Sequence, residues 1–300
     1  MEGAAIPGIS ALRASLETMP ELADLATWEA TPISGGGTSR HVYRLRHGDR
    51  DYFVKEIKAN ERETWKLLSS LQLTHVQRLV FPDLLERNIL VVEYLLGDTI
   101  RNRNEIETGL IRDMAIIQSR LPRREFVAAR PNRDDFHGGY LTECLELGQR
   151  TCLDLAARGV RGLEGYREVM NLLVGESEQI IAEYATMPSG WLHHDFREEN
   201  ILASQPQYVV DWGSSYGPGP FLFDLAPFLF GCPARLDVFT KSSELCDGAS
   251  RQAVERWLYV ATAARCAALL RHAFALRPRL DELEPYLAYQ FQVYRGLLLA

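Results

Sequence analysis

One short segment of the chain combines the residue types that phosphoryl transfer requires. His193, Asp195 and Asn200 form the pattern His-x-Asp-x-x-x-x-Asn, and a second carboxylate, Asp211, follows the apolar run Tyr208–Val210. Transfer from ATP needs one carboxylate to orient the attacking hydroxyl and accept its proton, and an amide and a second carboxylate to hold magnesium against the phosphates. Asp195 suits the first role. Asn200 and Asp211 suit the second, because magnesium prefers oxygen ligands.

Upstream residues supply a second part of this chemistry. Lys55 lies in a predicted strand that follows the glycine run Gly35–Gly37 and Ser39. Glycines let the backbone approach phosphate oxygens without a Cβ clash. On the next predicted helix, Glu63 is our preferred partner for the Lys55 ammonium, and Glu61 is the alternative. Each feature alone is common in ordinary loops and strands, but their order and spacing together favour a kinase.

The elements that must position these side chains fall into two regions. Residues 26–96 are strand-rich, with a predicted hairpin (strands at 41–46 and 51–57), a helix from about Asn60 and a further strand at 88–95. After Gly97 the pattern is mostly helical. Helices are predicted near 140–157, 162–186, 250–276 and 281–299, and Leu110, Met114, Ile117 and Leu121 recur on one further helical face. Two short β-like pieces, 201–203 and 208–210, interrupt them. We therefore expect a small β-rich lobe (1–97) and a larger, mostly helical lobe (98–300).

Composition limits the possible partners. The chain of 300 residues has 33 basic and 40 acidic side chains, a net charge of −7, which argues against a general nucleic-acid binder and is compatible with a cationic ligand. No apolar stretch reaches the roughly 18 residues of a membrane span, and the first residues lack the pattern of a secretory signal. The five cysteines are odd in number and form no Cys-x-x-Cys pair. Together these features predict a cytoplasmic protein with reduced thiols, no zinc site and no membrane or nucleic-acid partner.

Taken together, these residues make the chain resemble the aminoglycoside phosphotransferase and choline kinase-like family, small-molecule relatives of protein kinases. The matching parts are Ser34–Ser39, Lys55, Val91–Tyr94, His193–Leu202 and Val210–Ala226. The last of these runs from Asp211-Trp212-Gly213 to Asp224-Leu225-Ala226. The resemblance implies an α+β, bilobal protein-kinase-like fold, ATP or GTP as phosphoryl donor, magnesium, and a hydroxyl acceptor on a small molecule.

The resemblance also implies individual roles. Asp195 would be the catalytic base or orienting carboxylate, Asn200 and Asp211 the magnesium ligands, and Lys55 the ligand of the α- and β-phosphates. Ser39 would lie near the β- and γ-phosphates, and backbone groups from Glu93 to Leu95 would meet the nucleobase. Asp224 is expected to brace the catalytic loop, through His193. Arg197, two residues after Asp195, would face the γ-phosphate or form a salt bridge with Glu198 or Glu199.

The chain departs from the family pattern in places, and the acceptor is not encoded by spacing. His194 stands where the family usually has glycine, Glu198-Glu199 replace smaller residues, and Arg40 follows the glycine turn. Charged residues on helices usually form solvated surface, and the candidate acceptor contacts are acidic residues of this kind: Asp134, Asp135, Glu143, Glu146, Asp154, Asp281, Glu282 and Glu284. We expect an aminoglycoside or another antibiotic as acceptor. The alternatives are choline, a sugar or an amino alcohol, or, in another class, a nucleotide-binding pseudokinase or scaffold.

Overall fold

The computed structural model describes residues 29–33, 42–121, 139–158 and 164–275. Its described residues pack as two compact units. The first unit contains those up to Arg101 together with Arg197–Ser215, and the second contains Asn102–Phe196 and those from Tyr216 onward. The predicted α+β class is confirmed. The glycine run with Ser39 and the predicted helix 281–299 lie outside the described residues.

The first unit is built on a four-stranded antiparallel sheet in the order β1-β2-β3-β4. The strands are β1 (Glu29–Pro32), β2 (Val42–His47), β3 (Arg50–Glu56) and β4 (Ile89–Glu93). The predicted hairpin is β2–β3, whose tight turn places Gly48 at φ 62°, a value that glycine adopts readily.

The two faces of this sheet carry different side chains. One face carries an apolar core that contains Tyr43, Leu45, Tyr52, Val54 and Val91. Because successive side chains point to opposite faces, Lys55 lies on the other face, level with its register partners Val42 and Leu90.

Shorter elements complete the first unit. Helix α1 (Ala59–Leu71) begins after Lys58, not at Asn60, and ends at Gln72, which has φ 50°. Strands β6 (Ile201–Leu202) and β7 (Tyr208–Val209) match the two predicted β-like pieces, and they pair with each other. Single-turn 3₁₀ helices cover Glu198–Asn200 and Trp212–Ser214, and a longer one covers Pro82–Arg87.

The second unit is mostly helical. Its strands β5 (Ser189–Leu192) and β8 (Tyr216–Pro220) pair with each other. Its helices are α2 (Thr108–Arg120), α3 (Gly139–Ala157), α4 (Glu164–Gly175), α5 (Ser177–Thr186), α6 (Ala226–Leu229), α7 (Pro233–Ser242) and α8 (Arg251–Ala275), with 3₁₀ turns at Arg103–Glu105 and Glu244–Cys246. The stretch predicted as one helix at 162–186 is two, separated at Glu176. The predicted apolar face of α2 is buried.

The core of the second unit surrounds the end of β5. Trp191, Phe196, Phe221 and Phe228 are all buried there, and the rings of Phe196 and Phe228 meet edge to face at 5.0 Å. Helix α8 packs against α3, α5 and α6. Within the described ranges, no helix combines the length and the apolarity needed to cross a bilayer.

Candidate active site

In the first unit, Lys55 lies between two carboxylates. Its Nζ is 3.0 Å from Glu61 Oε1 and 3.4 Å from Asp211 Oδ1. Lys55 and Glu61 are both buried, whereas the Asp211 side chain is 57% exposed. Strand β3 supplies the lysine, α1 supplies its partner, and the residue after Val210 supplies the second carboxylate. The Lys55 ammonium is thus paired with one buried and one exposed carboxylate.

The preference for Glu63 as the lysine's partner is wrong. Glu63 instead receives hydrogen bonds from Arg62 Nε (2.8 Å) and Lys66 Nζ (3.4 Å) at the partly exposed side of α1. Glu61 lies four residues before Trp65 and seven before Leu68, so it shares the buried stripe of this helix. The helical period would have identified Glu61, because residues spaced in this way face the same direction.

The burial of Glu61 has an electrostatic consequence. Burial raises the pKa of its carboxyl, and the ammonium of Lys55 opposes that shift. Gly213, in the turn after Asp211, adjoins the same carboxylate: a Cβ added there would come within 3.1 Å of Glu61 Oε2. The missing side chain at this position leaves room for Glu61.

A pocket of about 320 Å³ opens on the Lys55 face of the sheet. Its walls are mostly apolar and come from the sheet and from the β6–β7 region: Val42, Phe53, Leu90, Val92, Leu202 and Val210. Lys55, Glu61 and Asp211 line its polar part. An apolar slot with a small polar end is the usual form of a small-molecule site, and its volume is at the lower limit of the usual range.

The segment after β4 borders the same pocket. Tyr94 and Leu95 line it, and Glu93 does not. The Glu93 carbonyl oxygen accepts a hydrogen bond at 3.1 Å from Nε2 of Gln77, which is itself a lining residue. The N–H of Tyr94 donates to the Asp51 carbonyl. Among the described residues, neither backbone polar group of Leu95 has a hydrogen-bond partner. Leu95 therefore presents one donor and one acceptor.

The two predicted magnesium ligands flank the paired strands β6 and β7 of the first unit: Asn200 directly precedes β6, and Asp211 follows β7 after Val210. The Val210 N–H donates to the Asn200 carbonyl at 3.0 Å, which places Asn200 beside the residue preceding Asp211. Asp211 itself has φ 58°. Its Oδ1 accepts from Lys55, and no described residue donates a hydrogen bond to its Oδ2. An amide oxygen and a carboxylate with an open oxygen fit magnesium, which takes few protein ligands and keeps several waters.

In the second unit, the loop that carries Asp195 is held from below by a buried carboxylate. Asp224 is fully buried, and it accepts the backbone N–H groups of His193 (2.5 Å) and His194 (3.0 Å). The predicted bracing role is therefore confirmed, and it acts through hydrogen bonds to the main chain of both histidines. The buried His193 in turn accepts the Asp195 N–H at Nδ1, 3.3 Å away. His194 has φ 67°, a left-handed conformation that favours the glycine usual in the family.

Sequence reasoning missed Arg265, which holds the same loop from α8. Its Nη1 donates to the carbonyl oxygens of Phe223 and Asp224 at 3.1 Å each, and its Nη2 donates to the Phe196 carbonyl at 2.5 Å. Its Nη1 also lies 3.8 Å from Asp224 Oδ1. Burial raises the pKa of the Asp224 carboxyl, and Arg265 is the largest of the groups that oppose this shift. In the sequence, Arg265 stands out only as a charged residue within a mostly apolar part of helix α8.

Replacing Arg265 tests whether it positions Asp195. In Arg265→Met we expect kcat to fall by about a hundredfold, since small misplacements of a reacting group have effects of that size. The KM for nucleotide should stay near its original value, and Arg265→Lys should restore part of kcat. Steady-state kinetics and thermal unfolding check this, with Arg251→Met, an exposed arginine of the same helix, as control. A fall in melting temperature with kcat intact would assign Arg265 to stability alone.

The remaining predicted site residues are Arg197 and the acidic acceptor candidates. Arg197 Nε lies 3.8 Å from a Glu199 carboxylate oxygen, and both side chains are about half exposed, so this pair contributes little to stability. Glu143 and Glu146 are exposed on α3, and Asp154 forms a 3.7 Å pair with Arg158. The other acidic acceptor candidates, at 134–135, 281–282 and 284, lie outside the described residues.

Solved structures of kinases share this fold. Choline kinase from Cryptosporidium parvum aligns with 97% of this chain and 96% of its own, at TM-score 0.57 and 12% identity. A choline/ethanolamine kinase family protein from Mesorhizobium loti aligns over 97% and 95%, at TM-score 0.55 and 17% identity. Choline kinase LicA from Streptococcus pneumoniae, a protein also solved with AMP, aligns over 97% and 100%, at TM-score 0.51 and 15% identity. These likenesses establish a fold shared with kinases.

Sequence comparison gives the family. No curated protein sequence matches this chain significantly. The model of the phosphotransferase enzyme family, APH, matches residues 29–258, about three quarters of the chain. That match spans Lys55, Asp195, Asn200 and Asp211. The chain therefore belongs to the phosphotransferase enzyme family and is a small-molecule kinase.

Proposed function

We propose that this kinase moves the γ-phosphoryl group of ATP or GTP, with magnesium, to a hydroxyl of a cationic small molecule such as an aminoglycoside or another antibiotic. The observation that carries the proposal is the buried Lys55–Glu61 pair beside Asp211, at the polar end of an apolar pocket. One ammonium beside two carboxylates can bind phosphates whose remaining negative charge is balanced by a bound metal ion. The expectation of a cytoplasmic location belongs to the same proposal.

The pocket supports nucleotide binding in two ways. A flat nucleobase fits between the apolar side chains of the sheet and those of Leu202 and Val210. The backbone groups of Leu95, which have no hydrogen-bond partner within the described ranges, supply the donor and acceptor that a base edge needs. Phosphates would then extend toward Lys55, whose Nζ is held in place by Glu61. We assign the α- and β-phosphates to Lys55, and we keep Ser39 and Arg197 as predicted phosphate contacts.

Magnesium would be held by the side-chain oxygens of Asn200 and Asp211. When bound, the ion neutralises charge that develops on the phosphate oxygens. The contact between Asp211 Oδ1 and Lys55 leaves Oδ2 for this purpose. The lysine and the metal ligand are thus adjacent in the same unit, which matches their shared task of holding one triphosphate.

Asp195 would act on the acceptor. Its carboxylate orients the hydroxyl and takes its proton while the hydroxyl oxygen bonds to the γ-phosphorus and the bond to the bridging β-γ oxygen breaks. The nucleoside diphosphate leaves with that oxygen. The hydrogen bonds that His193, Asp224 and Arg265 make around the loop hold the carboxylate for this step. Because a complete set of catalytic residue types is present, an active kinase is favoured over a pseudokinase.

A thermal-shift screen tests nucleotide binding. Saturating magnesium–ATP or magnesium–GTP should raise the melting temperature by several degrees, because a ligand at about 100 times its Kd adds roughly 2.7 kcal/mol. Lys55→Met should lose most of this shift, whereas Lys66→Met, which removes a lysine paired with Glu63 and Glu86, should keep it. The absence of any shift with either nucleotide would contradict the proposal.

The same screen identifies the acceptor class. Aminoglycosides, choline, ethanolamine and neutral sugars are added in the presence of magnesium and a non-hydrolysable nucleotide. A further shift with aminoglycosides supports the proposed acceptor. A shift with choline or ethanolamine alone would replace it by an amino-alcohol acceptor, and a shift with neutral sugars alone would remove the need for a cationic acceptor.

A further inference from the structure

The side chain of Gln77 occupies the edge of the pocket where a nucleobase would be read. Its Nε2 donates to the Glu93 carbonyl oxygen at 3.1 Å, and the side chain lines the pocket together with Tyr94 and Leu95. None of the roles assigned above involves this glutamine. This hydrogen bond engages a backbone acceptor of residues 93–95, the segment predicted to meet the nucleobase.

The backbone holds Gln77 in this position from both sides. Val76 forms a parallel bridge with Val209. Leu79 forms an antiparallel bridge with Val92, and the Val80 N–H donates to the Val91 carbonyl at 3.0 Å. Gln77 therefore lies in a segment tied to β7 at one end and to β4 at the other, all within the first unit. These bridges fix the backbone of Gln77 beside the pocket edge that its side chain lines.

The orientation of the amide follows from its partner. A carbonyl oxygen only accepts hydrogen bonds, so the NH₂ group of Gln77 must face Glu93. One N–H of that group remains, and the Leu95 N–H is also unpaired among the described residues. Among the described residues, the pocket edge consequently offers donors from Gln77 and Leu95 and an acceptor at the Leu95 carbonyl, while its acceptor at Glu93 is already engaged.

The two purine bases differ at the group that meets such an edge. Adenine carries a 6-amino donor, and guanine carries the O6 acceptor at the same position. A second lone pair on the Glu93 carbonyl still admits an amino group, but it must share the oxygen with Gln77. Guanine O6 instead receives a hydrogen bond from the donors present. We propose that Gln77 selects the phosphoryl donor and makes this enzyme prefer GTP over ATP, an inference that rests on the proposed kinase function.

Equilibrium binding of the two magnesium nucleotides tests this. Calorimetry gives the ratio of the Kd for ATP to the Kd for GTP in the full-length protein. Wild type should bind GTP more tightly, and Gln77→Leu should lower the ratio by about threefold to tenfold, the effect of one hydrogen bond. Gln77→Glu, which cannot donate and places a carboxylate near O6, should lower it at least as far. Gln179→Leu, which removes an exposed glutamine of α5, should leave it unchanged.

The outcomes separate this inference from the function on which it rests. An unchanged ratio in both Gln77 variants, or a wild-type preference for ATP, would overturn the selection by Gln77 and leave the kinase proposal standing. Failure of wild type to bind either nucleotide would instead overturn the kinase proposal, and the inference with it. Equal melting temperatures for wild type and Gln77→Leu establish that any change in the ratio arises at the pocket.

Discussion

Asp195→Asn should lower kcat by about a hundredfold to ten-thousandfold, the range over which a positioned general base contributes. The asparagine keeps the size of the side chain but has no charge to accept the hydroxyl proton. The backbone hydrogen bond from residue 195 to His193 Nδ1 remains, so the loop should keep its conformation. The Kd for magnesium–nucleotide should stay near the wild-type value, because the nucleotide contacts that we propose lie on the first unit and Asp195 belongs to the second.

Steady-state kinetics with an accepted substrate, together with calorimetry, check this pair of expectations. Asp237→Asn is the matched control, because Asp237 is an exposed carboxylate of the second unit that pairs with Arg251. Full activity of Asp195→Asn would remove Asp195 from the reaction. A parallel loss of nucleotide binding would show that the substitution acts through the fold instead.

Asp211→Ala should abolish the magnesium dependence of nucleotide binding. In wild type, we expect removal of magnesium by a chelator to weaken binding. In the variant, the Kd for magnesium–nucleotide should rise by at least about tenfold, and magnesium should no longer change it, since loss of one hard oxygen ligand leaves the site incomplete. The folded state should tolerate the change, because the Asp211 side chain is 57% exposed.

Calorimetry with and without magnesium measures this effect, and thermal unfolding of the nucleotide-free protein controls for stability. Glu199→Ala is a useful comparison, because Glu199 is also an exposed carboxylate of the first unit. Magnesium dependence that persists in Asp211→Ala would exclude Asp211 as a metal ligand. Loss of magnesium dependence in Glu199→Ala as well would point to a general charge effect.

Local patterns in the sequence were enough to place the main strands of the site. Alternation and a turn glycine predict the β2–β3 hairpin, which carries Lys55, and apolar runs predict β4, which ends at Glu93. The two short β pieces around Asn200 and Asp211 are equally local, and the structure pairs them. These features need only neighbouring residues, so a single sequence contains the information.

Contacts between distant residues could not be read in this way. Arg265 and Phe196 are 69 residues apart, and nothing near either residue indicates that a guanidinium of α8 meets that carbonyl. Arg265 also lies beyond residue 258, where the family match ends. Gln77 is similar, because its position beside the pocket depends on two bridges that its neighbours form with separate strands. The choice of Glu63 over Glu61 is a different kind of error, since helical periodicity was sufficient to correct it.

Transfer of label from a nucleotide labelled at the γ-phosphate to a small-molecule acceptor tests the central claim most directly. Wild type, Asp195→Asn and Asp211→Ala are incubated with labelled ATP or GTP and the acceptors identified by thermal shift, with magnesium or with excess chelator. We predict that wild type labels a hydroxyl of at least one acceptor only when magnesium is present, and that both variants label it far more slowly. Wild type that binds nucleotide and acceptor but transfers no label, or that labels no faster than Asp195→Asn, would contradict the account.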